Sequence, residues 1–193
     1  KVKKNTIKEI QKKLETGIVK KQDILENQAK IVYLGIGSNL GDKRLNIEKA
    51  KTILSINGVK ILNSSKIYES LSWPNTNFPK YFNIIIKTKT YLKPLNLFYI
   101  IKKIEKILGR KKNYKNFPRI CDIDIIDYNN INKSFKKNKD MLILPHPRSH
   151  KRNFVLLPLY EINKDWKHPK FKSKINELIM KLPINDLSTI KLI

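Results

Sequence analysis

The feature that most constrains the fold is a hydrophobic period that changes repeatedly along the chain. Residues 31–36 form a short apolar run of strand type that breaks at the turn cluster Gly37-Ser38-Asn39-Leu40-Gly41. Asp42 then stands where a helix cap belongs. Leu45, Ala50, Ile53 and Leu54 follow as an apolar helical stripe, and Gly58 comes after its end. Residues 59–67 and 82–92 return to strand character, separated by a loop rich in Pro and Asn at 71–80. Pro94 opens a second helix lined by Leu97, Ile100, Ile101, Ile104 and Leu108, and Gly109 closes it. A basic loop at 110–118 leads into another β-branched run. The order strand, helix, strand, strand, helix, strand predicts an α+β fold with a ferredoxin-like βαββαβ core. Its antiparallel sheet would carry helices packed on it in αβα layers. A polar hairpin at 129–140, a short strand at 142–144, a helix near 151–161 and a small helix at 173–182 are expected after it. There is no internal repeat.

The last strand of that core carries the chemistry. Asp122 and Asp124 sit two apart among Ile120, Ile123, Ile125 and Ile126. In a strand they share one face, while Ile123 and Ile125 point the other way into a core. Side-by-side carboxylates repel unless a cation lies between them. Hard oxygen ligands of this kind suit Mg²⁺ with substrate phosphates, and Arg119 lies upstream where it can meet a phosphate. The competing reading is a solvated edge strand. Asp127, three beyond Asp124, is expected to point away from it. A second signal is the run from Pro145 to Arg152, with His146, His150, Arg148 and Arg152 in a short stretch suited to phosphate oxygens. Here the alternative is a proline-rich turn before a helix. Gly35, Gly37 and Gly41 match neither the dinucleotide fingerprint nor a P-loop, so a tight strand-to-helix turn is expected.

Composition bounds the rest. At 193 residues, one domain with a sizeable core is expected. Residues 1–30 read as a lysine-rich arm with Ile7, Ile10 and Leu14 at helical spacing, and 31–193 as the folded unit. No apolar run is long enough to cross a bilayer, and the visible N-terminus has no leader-like apolar stretch. A single cysteine, Cys121, excludes an internal disulfide and predicts a cytoplasmic setting, with the thiol packed in the core. The formal charge of +25 favours polyanions, ATP included. Its lysines are scattered and mixed with Asn and Ile, a pattern that AT-rich codons produce, so a nucleic-acid partner is not expected.

Taken in order, three blocks resemble the 6-hydroxymethyl-7,8-dihydropterin pyrophosphokinase family of folate synthesis. They are Gly35 to Asp42, Pro118 to Ile126, and Pro145 to Arg148 continuing through Arg152 to Leu159. The resemblance covers roughly residues 31–165. It implies pyrophosphate transfer from ATP to the hydroxymethyl group of the reduced pterin, giving AMP, in a monomer with small-molecule substrates. By position it implies that Asp122 and Asp124 bind two Mg²⁺ ions bridging the ATP phosphates. Arg119 and Arg110 would act with them. Glu105, Lys112, Ile125, His146 and Arg152 would serve the nucleotide, and the basic loop would close over it. Tyr81 and Phe154 would stack the pterin, Asn83 would bond its ring edge, and Ser70 and Leu71 would supply loop contacts. Ordinary core or surface roles remain open for Glu105, Tyr81 and Phe154. Two places depart from the family pattern. Asn116-Phe117 replaces a Trp-Gly, with Phe117 or Tyr114 the candidates for the lost packing, and the loop 71–80 lacks its usual glycine. A basic nucleic-acid module and a relative that binds nucleotide without turnover are the rival readings.

Overall fold

The computed structural model describes residues 28–110 and 117–193. The expected arm at 1–30 lies almost wholly outside the described residues, as do Lys112, Tyr114 and Asn116. The core runs β1 (Lys30–Ser38), α1 (Lys43–Ile56), β2 (Val59–Ser64), β3 (Tyr68–Ser70), β4 (Tyr81–Thr90), α2 (Pro94–Ile107) and β5 (Asp122–Tyr128). Strand β1 pairs antiparallel with β4 and with β5, and β2 and β3 both pair with β4. This is the antiparallel ferredoxin-like sheet the sequence predicts.

Alternation along β1 and β5 divides the core in two. Val32, Leu34, Ile36, Ile123 and Ile125 face α1 and α2, meeting Ile47, Ala50, Leu54, Leu97, Ile101 and Ile104. On the other face Tyr33, Ile85 and Ile126 meet Val155, Leu156 and Leu159 of α3 (Asn153–Ile162) and Ile175 and Leu178 of α4 (Ile175–Met180). The buried Cys121 belongs to the first cluster. Burial, with Glu105 and Asp122 nearby, pushes its thiol up to about 12, so it is an inert packed group.

Local differences from the sequence reading have local causes. The strand expected over 59–67 is cut after Ser64, because Ser65 turns inward. The Ser65 amide donates to Ile85 O at 2.9 Å, and its Oγ accepts from Ile85 N at 3.0 Å. Leu45, expected in the stripe of α1, is 48% exposed, and Ile47 takes its place. Asp42 caps this helix as expected, its carboxylate accepting from Leu45 N at 3.0 Å. The polar stretch after β5 turns at Asn129 and Asn130, both with positive φ, and continues as strand β6 (Lys133–Lys137). Strand β6 pairs with β7 (Asp140–Leu144). A 3₁₀ turn at Ser149–Lys151 precedes α3, which starts two residues later than expected. A short helix α5 (Ile184–Ser188) and strand β8 (Lys191–Leu192) on the edge of β3 had no sequence counterpart. None of the described helices is long and apolar enough to cross a membrane.

Candidate active site

The site grows out of one row across the sheet. Gly37 of β1 pairs with Asp122 of β5 on one side and with Asn83 of β4 on the other. Gly35 likewise lies between Asp124 and Ile85. Paired residues share a face, so the carboxylates and the Asn83 amide look the same way across residues that have no side chain. A Cβ on Gly37 would stand 3.2 Å from Asn83 Oδ1 and 3.4 Å from Tyr81 Cδ1. These glycines form a hollow floor inside a strand. They are not the turn expected for them; only Gly41, with φ of 62°, sits in a turn conformation. The hollow opens into a cleft of about 1040 Å³.

Guanidinium groups hold the carboxylates. Asp122 Oδ1 accepts from Arg110 at 2.8 Å and from Arg119 at 3.0 Å. Asp124 Oδ2 accepts from Arg152 at 3.2 Å and lies 3.7 Å from His146 Nε2. Burial pushes the Asp122 carboxyl up, but Arg119 and Arg110 outweigh it and hold it below the usual range. His146 is pushed down by burial, with Asp124 pulling the other way. Its Nδ1 accepts from Arg148 N at 3.2 Å, so the neutral ring carries its proton on Nε2, toward Asp124.

Glu105 does not line the cleft. Its carboxylate is buried beneath, accepts from Ile123 N at 2.9 Å, and pairs with Arg110 and with Lys102. It thereby ties α2 to the carboxylate strand and aims Arg110 at Asp122. Ile125 also lies off the main cleft. It lines a smaller pocket of about 190 Å³ with Phe98, Ile101, Leu142 and Ile143, which shares Lys102, Asp124 and His146 with the cleft.

The other wall gathers the remaining expected residues. Ser70, Leu71, Tyr81, Asn83 and Phe154 all line the cleft. Asn83 Nδ2 donates to Ser70 Oγ at 3.0 Å and to Tyr68 O at 3.3 Å, which leaves Oδ1 on the Gly37 side. Arg152 lies over the Phe154 ring at 5.3 Å.

Asp127 departs from expectation. A bulge where β1 and β5 change register puts it opposite Tyr33, on the same face as Asp124. It serves the core there, accepting from Trp166 Nε1 at 2.9 Å and from Asn130 N at 2.9 Å. Sequence reasoning also missed Gly37 as floor, Lys102 between the two pockets, and Trp73. The Trp73 ring is 66% exposed at the cleft mouth, with Arg148 over it at 5.7 Å. The Lys102–Glu105 spacing of three on a helix was the one available signal among these.

A carboxylate pair ringed by guanidiniums at the edge of a two-part cleft is an arrangement suited to phosphoryl transfer. The family model described as 7,8-dihydro-6-hydroxymethylpterin-pyrophosphokinase matches residues 33–164. The chain is 40% identical over 150 residues to the 2-amino-4-hydroxy-6-hydroxymethyldihydropteridine pyrophosphokinase of Aquifex aeolicus, covering 76% of this chain and 88% of that one. It is 36% identical over 174 residues to a folic acid synthesis protein of Pneumocystis carinii, covering 89% of this chain but only 22% of that longer protein. Among solved structures, an HPPK-DHPS of Plasmodium falciparum matches with a TM-score of 0.70 at 18% identity, over 86% of this chain and 48% of that one. That likeness concerns the fold. The chain belongs to the 7,8-dihydro-6-hydroxymethylpterin-pyrophosphokinase family.

Proposed function

We propose that the chain transfers a diphosphoryl group from ATP to the hydroxymethyl oxygen of 6-hydroxymethyl-7,8-dihydropterin, releasing AMP. One observation carries the reading. The phosphate-type wall, Asp122 and Asp124 with their arginines, faces the ring-type wall, Asn83 and Tyr81, across a glycine floor one residue wide.

The donor set fits Mg²⁺. Asp122 and Asp124 offer hard oxygens on one face, and no group of three potential ligands exists among the described residues. The remaining coordination positions would therefore fall to phosphate oxygens and water, as Mg²⁺ prefers; two ions are expected. When bound, the metal supplies neutralisation of phosphate charge. Arg110 and Arg119 are already aimed at Asp122 and Arg152 at Asp124, and they exchange a carboxylate oxygen for a phosphate oxygen when nucleotide enters. Lys112 of the basic loop would add to them. His146 donates from Nε2. The smaller apolar pocket, with Ile125, accepts the adenine, since it joins the main cleft at Asp124 and His146. Glu105 keeps Arg110 and the Ile123 amide in place.

On the facing wall the pterin ring lies against Tyr81 and Phe154. Asn83 Oδ1, held by Ser70, accepts from the N–H groups of the ring edge, and Leu71 closes that side. The hydroxymethyl oxygen attacks the β-phosphorus, and the bond to the α,β-bridging oxygen breaks. The electron pair leaves with AMP and the hydroxyl proton passes to solvent. Positioning and fixed charge do most of the work. The chain would act as a monomer on small molecules, and the buried free thiol fits the cytoplasm. Incubation with ATP, Mg²⁺ and the reduced hydroxymethylpterin is expected to yield AMP only when the pterin is present. AMP release independent of pterin, or none with it, would refute the reading.

A further inference from the structure

The ring side of the cleft is backed by a segment from far along the chain. Asp186 of α5 and Thr189, which caps that helix, both line the cleft. They are held at the buried Asn153, the first residue of α3. Asn153 Nδ2 donates to Asp186 O and, at 3.3 Å, to Thr189 Oγ1. Thr189 Oγ1 in turn donates to Asp186 O at 2.7 Å. The other end of the same amide, Asn153 Oδ1, accepts from Phe154 N at 2.6 Å. One side chain thus joins this segment to the backbone of Phe154.

A few residues on, the segment pairs as β8 with β3. Tyr68 lies opposite Leu192 and Glu69 opposite Lys191, and Ile193 N donates to Ile67 O at 3.0 Å. On its other edge β3 pairs with β4, Tyr68 opposite Asn83 and Ser70 opposite Tyr81. Strand β3 has three residues, so a second partner matters to where it lies. The segment adds little to the core. Leu187 packs against the second cluster, but no residue of α5 is buried, and Ile184, Leu192 and Ile193 are exposed. Hydrogen bonds therefore fix its place, one set on the α3 side of the pterin wall and one on the β3 side.

We propose that residues 186–193 form a strap that sets the gap between Phe154 and the Ser70–Asn83 edge, with Thr189 and the Ile193 amide as positioning groups for the pterin. The inference rests on the function proposed above. The strap acts as fixed geometry. It leaves the phosphate wall alone, because Asp122 and Asp124 lie on β5, at the opposite end of the strand order from β8, and Arg152 is held there by Asp124 at 3.2 Å.

The test compares full chains carrying Thr189→Val, Thr189→Ser or Ile193→Pro in steady-state AMP formation. Valine keeps the shape of threonine without its hydroxyl, and proline removes the amide hydrogen. In both, the KM for pterin is expected to rise roughly two- to tenfold, the range of one hydrogen bond. The KM for ATP stays within about twofold, and Thr189→Ser keeps the wild-type pterin KM. A purely structural loss would lower the active fraction, and so the turnover, and leave both KM values where they are. Thr189 is half-buried and Ile193 is 45% exposed, so the variants retain the fold, checked by circular dichroism. An unchanged pterin KM in the valine or the proline variant, an ATP KM that rises as much, or a serine variant no better than valine overturns the strap alone. A wild-type chain that forms no AMP in response to pterin overturns the functional reading and the strap with it.

Discussion

Replacing Asp122 by Asn separates the two jobs assigned to that side chain. As a structural group it accepts from Arg110 at 2.8 Å and Arg119 at 3.0 Å. Asparagine keeps one oxygen acceptor, so only the charge-assisted part of those bonds is lost. The Asp122 side chain is 30% exposed, and solvent screens the pair, which puts the cost at about 1–2 kcal/mol. For a domain of this size that lowers Tm by roughly 2–8 °C. The sign with pH follows from the lowered carboxyl pKa. The wild-type contribution is present above the usual 3.8 and lost as pH falls below it, and the variant lacks that acid limb. As a catalytic group the same carboxylate would hold the charge that offsets the phosphates, worth several kcal/mol. Losing about 4 kcal/mol slows turnover roughly a thousandfold. The assay is pterin-dependent AMP formation beside a thermal melt of the same sample. Turnover within tenfold of wild type, or a loss that merely follows the melting, refutes the assignment.

Two further outcomes are expected. Gly37→Ala puts a methyl 3.2 Å from Asn83 Oδ1, so the KM for pterin rises several-fold while the KM for ATP holds; a pterin KM equal to the wild-type value would remove Gly37 as the floor. His168 is pushed down to about 4 by burial, then by His150 and Lys170. Its folded pKa lies below the unfolded 6.5, so its contribution to stability is fully present above that value and is lost as pH falls toward about 4. A series of melts between those two pH values shows a steeper decline for wild type than for His168→Phe if this is correct.

Much of the fold was legible because β1, β4, β5, α1 and α2 are long enough to carry a clear period, and Asp42, Pro94 and Gly109 mark helix ends by local chemistry. The Asp122/Asp124 pair was legible for the same reason: parity in a strand puts both on one face. Parity failed at Asp127, since a bulge is a property of two strands in register and leaves no trace in one of them. Leu45 failed because a stripe gives the angle of a helix but not where the helix meets the sheet. Ser65 failed because a serine that breaks a strand by bonding Ile85 reads like any polar strand residue.

The residues alone determined the order of elements, the two-faced sheet, and the acidic, basic and aromatic side chains available for chemistry, because these depend on neighbours within a few positions. Only tertiary structure decided that Gly37 joins Asp122 to Asn83, that Glu105 lies beneath the cleft, and that Asn153 holds the segment around Asp186 and Thr189. Each of these contacts spans many residues of chain, and pairing at that range is set by strand register and packing, which no local pattern encodes.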